Sequence, residues 1–84
     1  MPFSRRDKFD IIEEILSLAK EKIGKTAIIY RANLNHSRAN KYLDSLLEKE
    51  FLRAIEKSSV KYETTEKGLN LLDHIHQLKD EFNK

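Results

Sequence analysis

Apolar residues follow two different spacings along this chain. In four stretches they recur every three or four positions, as in amphipathic helices. This spacing predicts helices over residues 5–23, 25–33, 36–50 and 65–83. Over residues 51–64 a β-hairpin that turns at Ser58 and Ser59 is predicted. Phe51, Leu52, Ala54 and Ile55 suit a half-buried strand, and Val60, Tyr62 and Thr64 alternate with polar residues. The pattern therefore predicts a mainly α fold with a small β-hairpin (α+β), in a single domain over residues 1–84.

The boundary between the second and third helices carries a clear turn signal. Asn33 tolerates the left-handed backbone conformation that a tight turn needs, and Asn35 is a good N-cap for the third helix. A short helix, a tight turn and a longer amphipathic helix form the helix-turn-helix layout, whose second helix can enter a DNA major groove. Because a hairpin with a basic tip follows at once, the sequence predicts a winged helix-turn-helix.

Polar side chains on the open face of the third helix suit the recognition of DNA bases. Arg38 can donate two hydrogen bonds to guanine and Asn40 can pair with adenine, so we expect these two residues to read bases. The other predicted DNA contacts are His36, Ser37 and Lys41 on the third helix, Lys25, Thr26 and Arg31 on the second, and Lys57, Ser58, Ser59 and Lys61 at the hairpin tip. The alternatives are a solvated helix surface, a capping role for Thr26, and a hairpin tip that guards against edge pairing.

The distribution of charge is more informative than its total. The chain has 16 Lys and Arg residues, 14 Asp and Glu residues, and a net charge of +2. Residues 25–61 contain eight of the basic residues and four of the acidic ones. The positive excess therefore falls on the segment predicted to bind DNA. An ordinary surface rich in Lys and Glu is the alternative interpretation.

Several classes of function are disfavoured by residues that the sequence lacks. There is no cysteine, which excludes disulfides and thiolate metal sites. His74 and His76 stand two positions apart on a helix and point to different faces, so we expect no metal site. No catalytic motif is visible, and we expect neither an enzyme nor a cofactor nor a small-molecule ligand. No apolar run is long enough to span a membrane, and we expect the protein in the cytoplasm, associated with the nucleoid.

The last predicted helix carries an apolar seam. Leu71, Ile75, Leu78 and Phe82 are spaced 4, 3 and 4 residues apart, as in a coiled coil. The first helix has an apolar face that is wider than one small core needs, and its stripe of Ile11, Ile15 and Leu18 can extend such an interface. We therefore expect a homodimer joined through the C-terminal helix.

The segment KTAIIYRANLNHSRANKYLDSLLEK, followed later by KYETTEKG, resembles the archaeal winged helix-turn-helix regulators. The shared positions are Thr26, Ile28, Tyr30, Ala32, Asn33, Leu34, Tyr42, Leu43, Leu46, Leu47, Tyr62, Thr65 and Gly68. This resemblance implies a dimer joined by the last helix that acts as a transcription regulator or a chromatin-associated DNA binder. The chain departs from the pattern at Glu50, where glycine is usual, and at Thr64, where leucine is usual.

Three functions remain open at this level. The leading expectation is a dimeric transcription regulator that reads the major groove of double-stranded DNA. The first alternative is an architectural protein that coats DNA with little sequence preference. The second is a winged helix that serves as a protein-binding module, which the small net charge favours.

Overall fold

A computed structural model of the chain describes residues 7–56 and 58–82. Its elements, in chain order, are α1 (Lys8–Leu18), β1 (Ile23–Gly24), α2 (Lys25–Arg31), α3 (His36–Glu48), β2 (Leu52–Glu56), β3 (Val60–Thr64) and α4 (Glu66–Phe82). No helix in the described part of the chain is both long and apolar enough to cross a membrane.

The first helix ends earlier than the sequence predicts, and residues 5 and 6 of the predicted helix lie outside the described residues. It begins at Lys8 because Asp7 caps it: the Asp7 carboxylate accepts from the Asp10 N–H (2.9 Å), and the Asp10 carboxylate accepts from the Asp7 N–H (3.2 Å). It ends at Leu18, and residues 23 and 24 form a strand instead. A two-residue strand exists only through its pairing partner, which is why local sequence gave no sign of it.

The three strands form one antiparallel sheet in the order β1-β3-β2. Ile23 pairs with Tyr62 and Gly24 with Lys61, while β2 pairs with β3 along its whole length, from Leu52 opposite Thr64 to Glu56 opposite Val60. The predicted hairpin is therefore extended by a third strand that leads directly into α2. This pairing fixes where α2 begins.

Apolar side chains from all four helices and the sheet share one core. Its fully buried large members are Ile11, Ile15, Leu16, Ile28, Leu43, Leu52 and Leu72. Ile11 and Ile15 are 1% and 0% exposed within their own chain, so the prediction that they extend a dimer interface is wrong. The wide apolar face of α1 is used instead to contact several elements at once, and Leu18 packs half-buried against the same core.

Two residues with left-handed backbone conformations end the two helices of the helix-turn-helix. Asn33 (φ 56°) follows α2, as predicted, and Glu50 (φ 67°) follows α3. After α3, the N–H of Phe51 donates to the Leu46 carbonyl (2.9 Å) and the N–H of Glu50 to the Leu47 carbonyl (3.0 Å). These bonds form a Schellman motif, in which the position of Glu50 is normally glycine. The motif holds Glu50 in a conformation that strains a residue with a side chain.

Thr64 and Thr65 connect three helix ends. The Thr64 hydroxyl donates to the Leu16 carbonyl (2.8 Å) and its N–H to the Ala19 carbonyl (2.8 Å), which satisfies the end of α1. The Thr65 hydroxyl donates to the Glu50 carbonyl (2.7 Å) and accepts from the Gly68 N–H (3.0 Å), so it ties the start of α4 to the turn after α3. A hydroxyl at position 64 therefore replaces apolar packing with a hydrogen bond to an otherwise unpaired buried carbonyl.

Charged side chains join α1 to α4 at the surface. Lys79 donates to Asp10 and to Glu13 (2.6 Å), and His76 Nε2 lies 2.8 Å from Glu13 Oε2. The Lys79 ammonium and the Asp7 N–H stabilise the Asp10 carboxylate and lower its pKa, while the same Asp10 and Glu13 groups raise the pKa of Lys79. The cluster therefore stabilises the fold most between the two pKa values.

The first prediction concerns the strained turn. Glu50→Gly should raise the free energy of unfolding by about 0.5–1 kcal/mol, because glycine adopts positive φ without steric cost and the exposed Glu50 side chain has no described partner. Chemical denaturation measures the change. The matched control is Lys49→Gly at the preceding residue, where φ is −86° and any residue fits. There glycine should lower stability by up to about 1 kcal/mol. If both changes destabilise equally, the left-handed turn is not strained.

The second prediction concerns the stability of the fold at acidic pH. Lys79→Met should lower the free energy of unfolding at pH 7 by about 0.5–1 kcal/mol, the size expected for a partly exposed ion-pair network. The Asp10 pKa is depressed, so its contribution is present above the ordinary value of 3.8 and is lost as the pH falls through the folded-state pKa. The difference between wild type and variant should therefore shrink below pH 3.8. Lys20→Met, at an exposed position without a described partner, should show no such pH dependence.

Candidate functional site

The third helix presents its N-terminal half to solvent. Ala39, Leu43 and Leu46 hold one side of α3 in the core. The Asn35 side chain caps the helix by accepting from the Arg38 N–H (2.8 Å), as the sequence predicts. Because the cap fixes the first turn and the core fixes the inner side, the polar residues of the outer side occupy defined positions.

The predicted DNA contacts fall on three neighbouring parts of the structure. His36, Ser37, Arg38, Asn40 and Lys41 are all exposed on α3. On α2, Thr26 and Arg31 are exposed and Lys25 is half-buried. Ser58, Ser59 and Lys61 are exposed at the end of the hairpin, and Lys57 lies outside the described residues.

A basic cleft of about 420 Å³ lies between α1 and α3. Its polar lining consists of Lys8, Arg38, Lys41, Tyr42 and Ser45, and no carboxylate lines it. Within residues 7–56 and 58–82 none of its three cations has an ion-pair partner. Lys8 was not predicted from the sequence, because periodicity alone does not show which helix lies beside the first turns of α3. The three unpaired cations suit an anion such as a phosphate group.

On the opposite flank of α3, α2 contacts the site through one hydrogen bond. Lys25 Nζ donates to Asn40 Oδ1 at 2.7 Å. Lys25 is the first residue of α2, where the paired strand β1 leads into the helix. Both residues were predicted to contact DNA, but their contact with each other was not predicted, because they are 15 positions apart.

The hairpin end adds a second basic surface. Ser58, Ser59 and Lys61 line a hollow of about 220 Å³ together with Lys22 and Ile55. Lys22 belongs to the segment between α1 and β1, and reaches this surface because β1 pairs with β3. It is a second basic residue that the sequence analysis did not assign.

Negative charge and metal ligands are sparse on this surface. Asp44 is exposed further along α3, and burial together with the Asp44 charge raises the pKa of Tyr62 beneath it. The described residues contain no group of His, Asp or Glu side chains that could hold a metal ion. His76 contacts Glu13, as described above, and lies away from His74 on the helix surface.

An apolar groove lies between α1 and α4. The groove has a volume of about 480 Å³. It is lined by the apolar residues Phe9, Leu71, Ile75, Leu78 and Phe82, with Asp7, Asp10, His74 and Lys79 around them. Leu78 and Phe9 are each 56% exposed and Phe82 is 81% exposed, whereas Ile75 is only 5% exposed. Ile75 therefore forms the floor of the groove, and on α1 the groove is lined by Phe9 and not by Ile11 or Ile15.

Comparison with known proteins gives three similarities in sequence and structure. Sso10a-2, a DNA-binding protein from Sulfolobus solfataricus, has a crystal structure that matches this fold with a TM-score of 0.82 and 37% identity, over 89% of this chain and 80% of that one. Two Methanocaldococcus jannaschii proteins, both described as uncharacterized, are similar in sequence. MJ0287 is 38% identical over 75 residues (88% of this chain, 74% of that protein), and MJ0290 is 40% identical over 79 residues (93% and 36%). This chain thus spans about a third of MJ0290.

A model of the winged helix-turn-helix family matches residues 5–83. Together with the similarity to Sso10a-2, this match confirms both the fold and the archaeal resemblance predicted from the sequence.

Proposed function

Because the chain belongs to the winged helix-turn-helix family, we propose that it is a homodimer that binds double-stranded DNA and places α3 in the major groove. The observation that carries this proposal is the exposed, capped start of α3, where Arg38 and Lys41 have no ion-pair partner in the described part of the chain. Unpaired donors on a rigid helix suit both phosphate oxygens and base edges. The similar protein Sso10a-2, which is described as a DNA-binding protein, supports the same function.

Backbone phosphates have contacts on both sides of α3. We place one phosphate group in the cleft beside Lys8 and Lys41, and a second at the hairpin end beside Lys22 and Lys61. Thr26 and Arg31 on the exposed side of α2 add polar contacts between them. Such contacts position the protein on the duplex without reading its sequence.

The groove between α1 and α4 is the proposed dimer interface. Exposed apolar side chains in one continuous surface are unfavourable on a monomer, and a second copy of α4 would cover Leu78, Phe82 and Phe9. Two copies of α3 would then contact the DNA together, which doubles the number of phosphate contacts.

We infer that the protein recognises particular DNA sequences and acts as a transcription regulator on the nucleoid. Arg38 and Asn40 offer the geometries that recognise particular bases. An architectural protein needs only the phosphate contacts. The loss of Arg38 should therefore reduce the preference for one DNA sequence only if the protein is a regulator. We assign the protein a binding role and no catalytic activity.

Salt dependence tests the binding of phosphates. Two subunits with about three Lys or Arg contacts each neutralise about six phosphates, so the logarithm of the affinity should fall with the logarithm of salt with a slope near −5. The measurement is a titration of a labelled duplex at several salt concentrations. A slope near zero would support the protein-binding alternative.

Substitutions of Arg38 and Lys61 distinguish recognition of DNA bases from contact with the phosphate backbone. If Arg38, which is exposed on α3, reads a base edge as we propose, Arg38→Ala should cost about 1–3 kcal/mol on the preferred site and less on random DNA. Lys61→Ala should weaken binding to both duplexes alike and flatten the salt slope by about one unit. Competition titrations on preferred and scrambled duplexes measure both effects. If Arg38→Ala weakens both duplexes equally, the architectural role is the better account.

The dimer is tested at Leu78. Leu78→Asp should convert the dimer to a folded monomer, because the side chain is largely exposed on one chain and lies in the proposed interface. Sedimentation equilibrium at tens of micromolar gives the mass, and circular dichroism checks the fold. Gln77→Asp, with the same charge at the neighbouring exposed position, should remain dimeric. Wild-type protein that is monomeric at this concentration would contradict the proposal.

A further inference from the structure

We propose that Lys25 is a specificity-determining residue, which makes Asn40 select guanine over adenine. The inference rests on the proposed function, because it concerns which base α3 reads. It starts from the hydrogen bond between Lys25 Nζ and Asn40 Oδ1, at 2.7 Å. The sequence alone favours adenine as the partner of Asn40, since a free amide pairs with adenine through one donor and one acceptor.

The chemistry of the pair fixes the orientation of the Asn40 amide. A lysine ammonium has three donors and no acceptor, so the amide atom that faces it is the carbonyl oxygen. The Asn40 Nδ2 group then points away from Lys25 and has no described partner. The pair thus presents donors to the outside: two hydrogens on Asn40 Nδ2 and the remaining hydrogens of the Lys25 ammonium.

A surface that only donates distinguishes the two purines. In the major groove guanine offers two acceptors, N7 and O6, whereas adenine offers the N7 acceptor beside the N6 donor. The N6 group of adenine would meet another donor and stay unpaired, and an unpaired polar group in an interface weakens binding. Guanine satisfies the donors of Asn40 and leaves no group of its own without a partner.

The backbone around this pair is well fixed. Lys25 follows β1, whose two residues pair with Tyr62 and Lys61 of the central strand. Asn40 lies one residue after Ala39, which is fully buried in the core, and two residues after Arg38, whose N–H bonds to the helix cap. Lys25 itself is half-buried, which reduces the conformations open to its side chain. The contact therefore joins two positions whose separation is set by the sheet and by the helix-turn-helix.

Selection from a pool of randomised duplexes tests the proposal directly. Asn40→Ala identifies the base pair that Asn40 reads, because preference at that pair alone should disappear. Wild type should favour guanine there. Lys25→Met, which frees the Asn40 oxygen, should lower the ratio of guanine to adenine at the same pair by roughly tenfold. Lys25→Arg, which keeps a donor-only partner, should preserve the guanine preference.

Lys22→Met is the matched control for lost charge. It removes one lysine from the hairpin end of the same surface and should lower affinity without changing base preference. If Lys25→Met and Lys22→Met behave alike, Lys25 only contacts phosphate and the inference is overturned. It is also overturned if Asn40→Ala changes no position. If wild type binds no DNA, the proposed function itself is wrong. If wild type binds every duplex equally, the protein does not read sequence, and the inference is overturned for that reason.

The free protein offers a second measurement. In nuclear magnetic resonance spectra, Lys25→Met should shift the side-chain amide resonances of Asn40, because the amide loses its ammonium partner. Lys22→Met should leave them unchanged. Asn40 resonances that do not respond to either change contradict the contact on which the inference rests.

Discussion

The close approach of α4 to the turn after α3 is the constraint on which the rest of this fold depends. A Cβ on Gly68 would collide with the carbonyl oxygen of Phe51 and would lie 2.7 Å from Thr64 Cγ2. Only glycine allows α4 to start there. Thr64 and Thr65 lie at this close approach. The Thr64 hydroxyl donates to a carbonyl at the end of α1, and the Thr65 hydroxyl joins α4 to the turn after α3. The sheet, α3 and α4 thus meet at a junction of a few residues.

The core and this junction also explain how Arg38 and Lys41 can stay without an ion-pair partner among the described residues. Ala39, Leu43 and Leu46 fasten α3 from below, and the turn at Glu50 fastens its end. The outer side of the helix does not contribute to the core, so its donors remain available to a ligand. Arg53 shows the contrast: it pairs with Glu63 across the two hairpin strands at 2.6 Å, as a surface residue with a structural partner does.

The sequence predicted those features that depend on neighbouring residues. Asn33 and Asn35 are local signals, and they correctly located the tight turn and the cap of α3. Features that depend on distant partners were not predictable in this way. Strand β1 exists through its pairing with β3, and the contact of Lys25 with Asn40 requires knowledge of how α2 lies on α3. The role given to Ile11 and Ile15 failed for the same reason, because helical spacing shows that a stripe is apolar but not which neighbour covers it.

The first turn of α1 belongs to two surfaces at once. Lys8 lines the basic cleft beside α3, and the adjacent Phe9 lines the apolar groove beside α4. Successive residues on a helix point in directions about 100° apart, so this single turn forms part of the wall between the two surfaces. The proposed dimer contact and the proposed phosphate contact are therefore one residue apart on α1. Because α1 forms one side of both surfaces, a substitution that shifts its first turn would alter the cleft and the groove together.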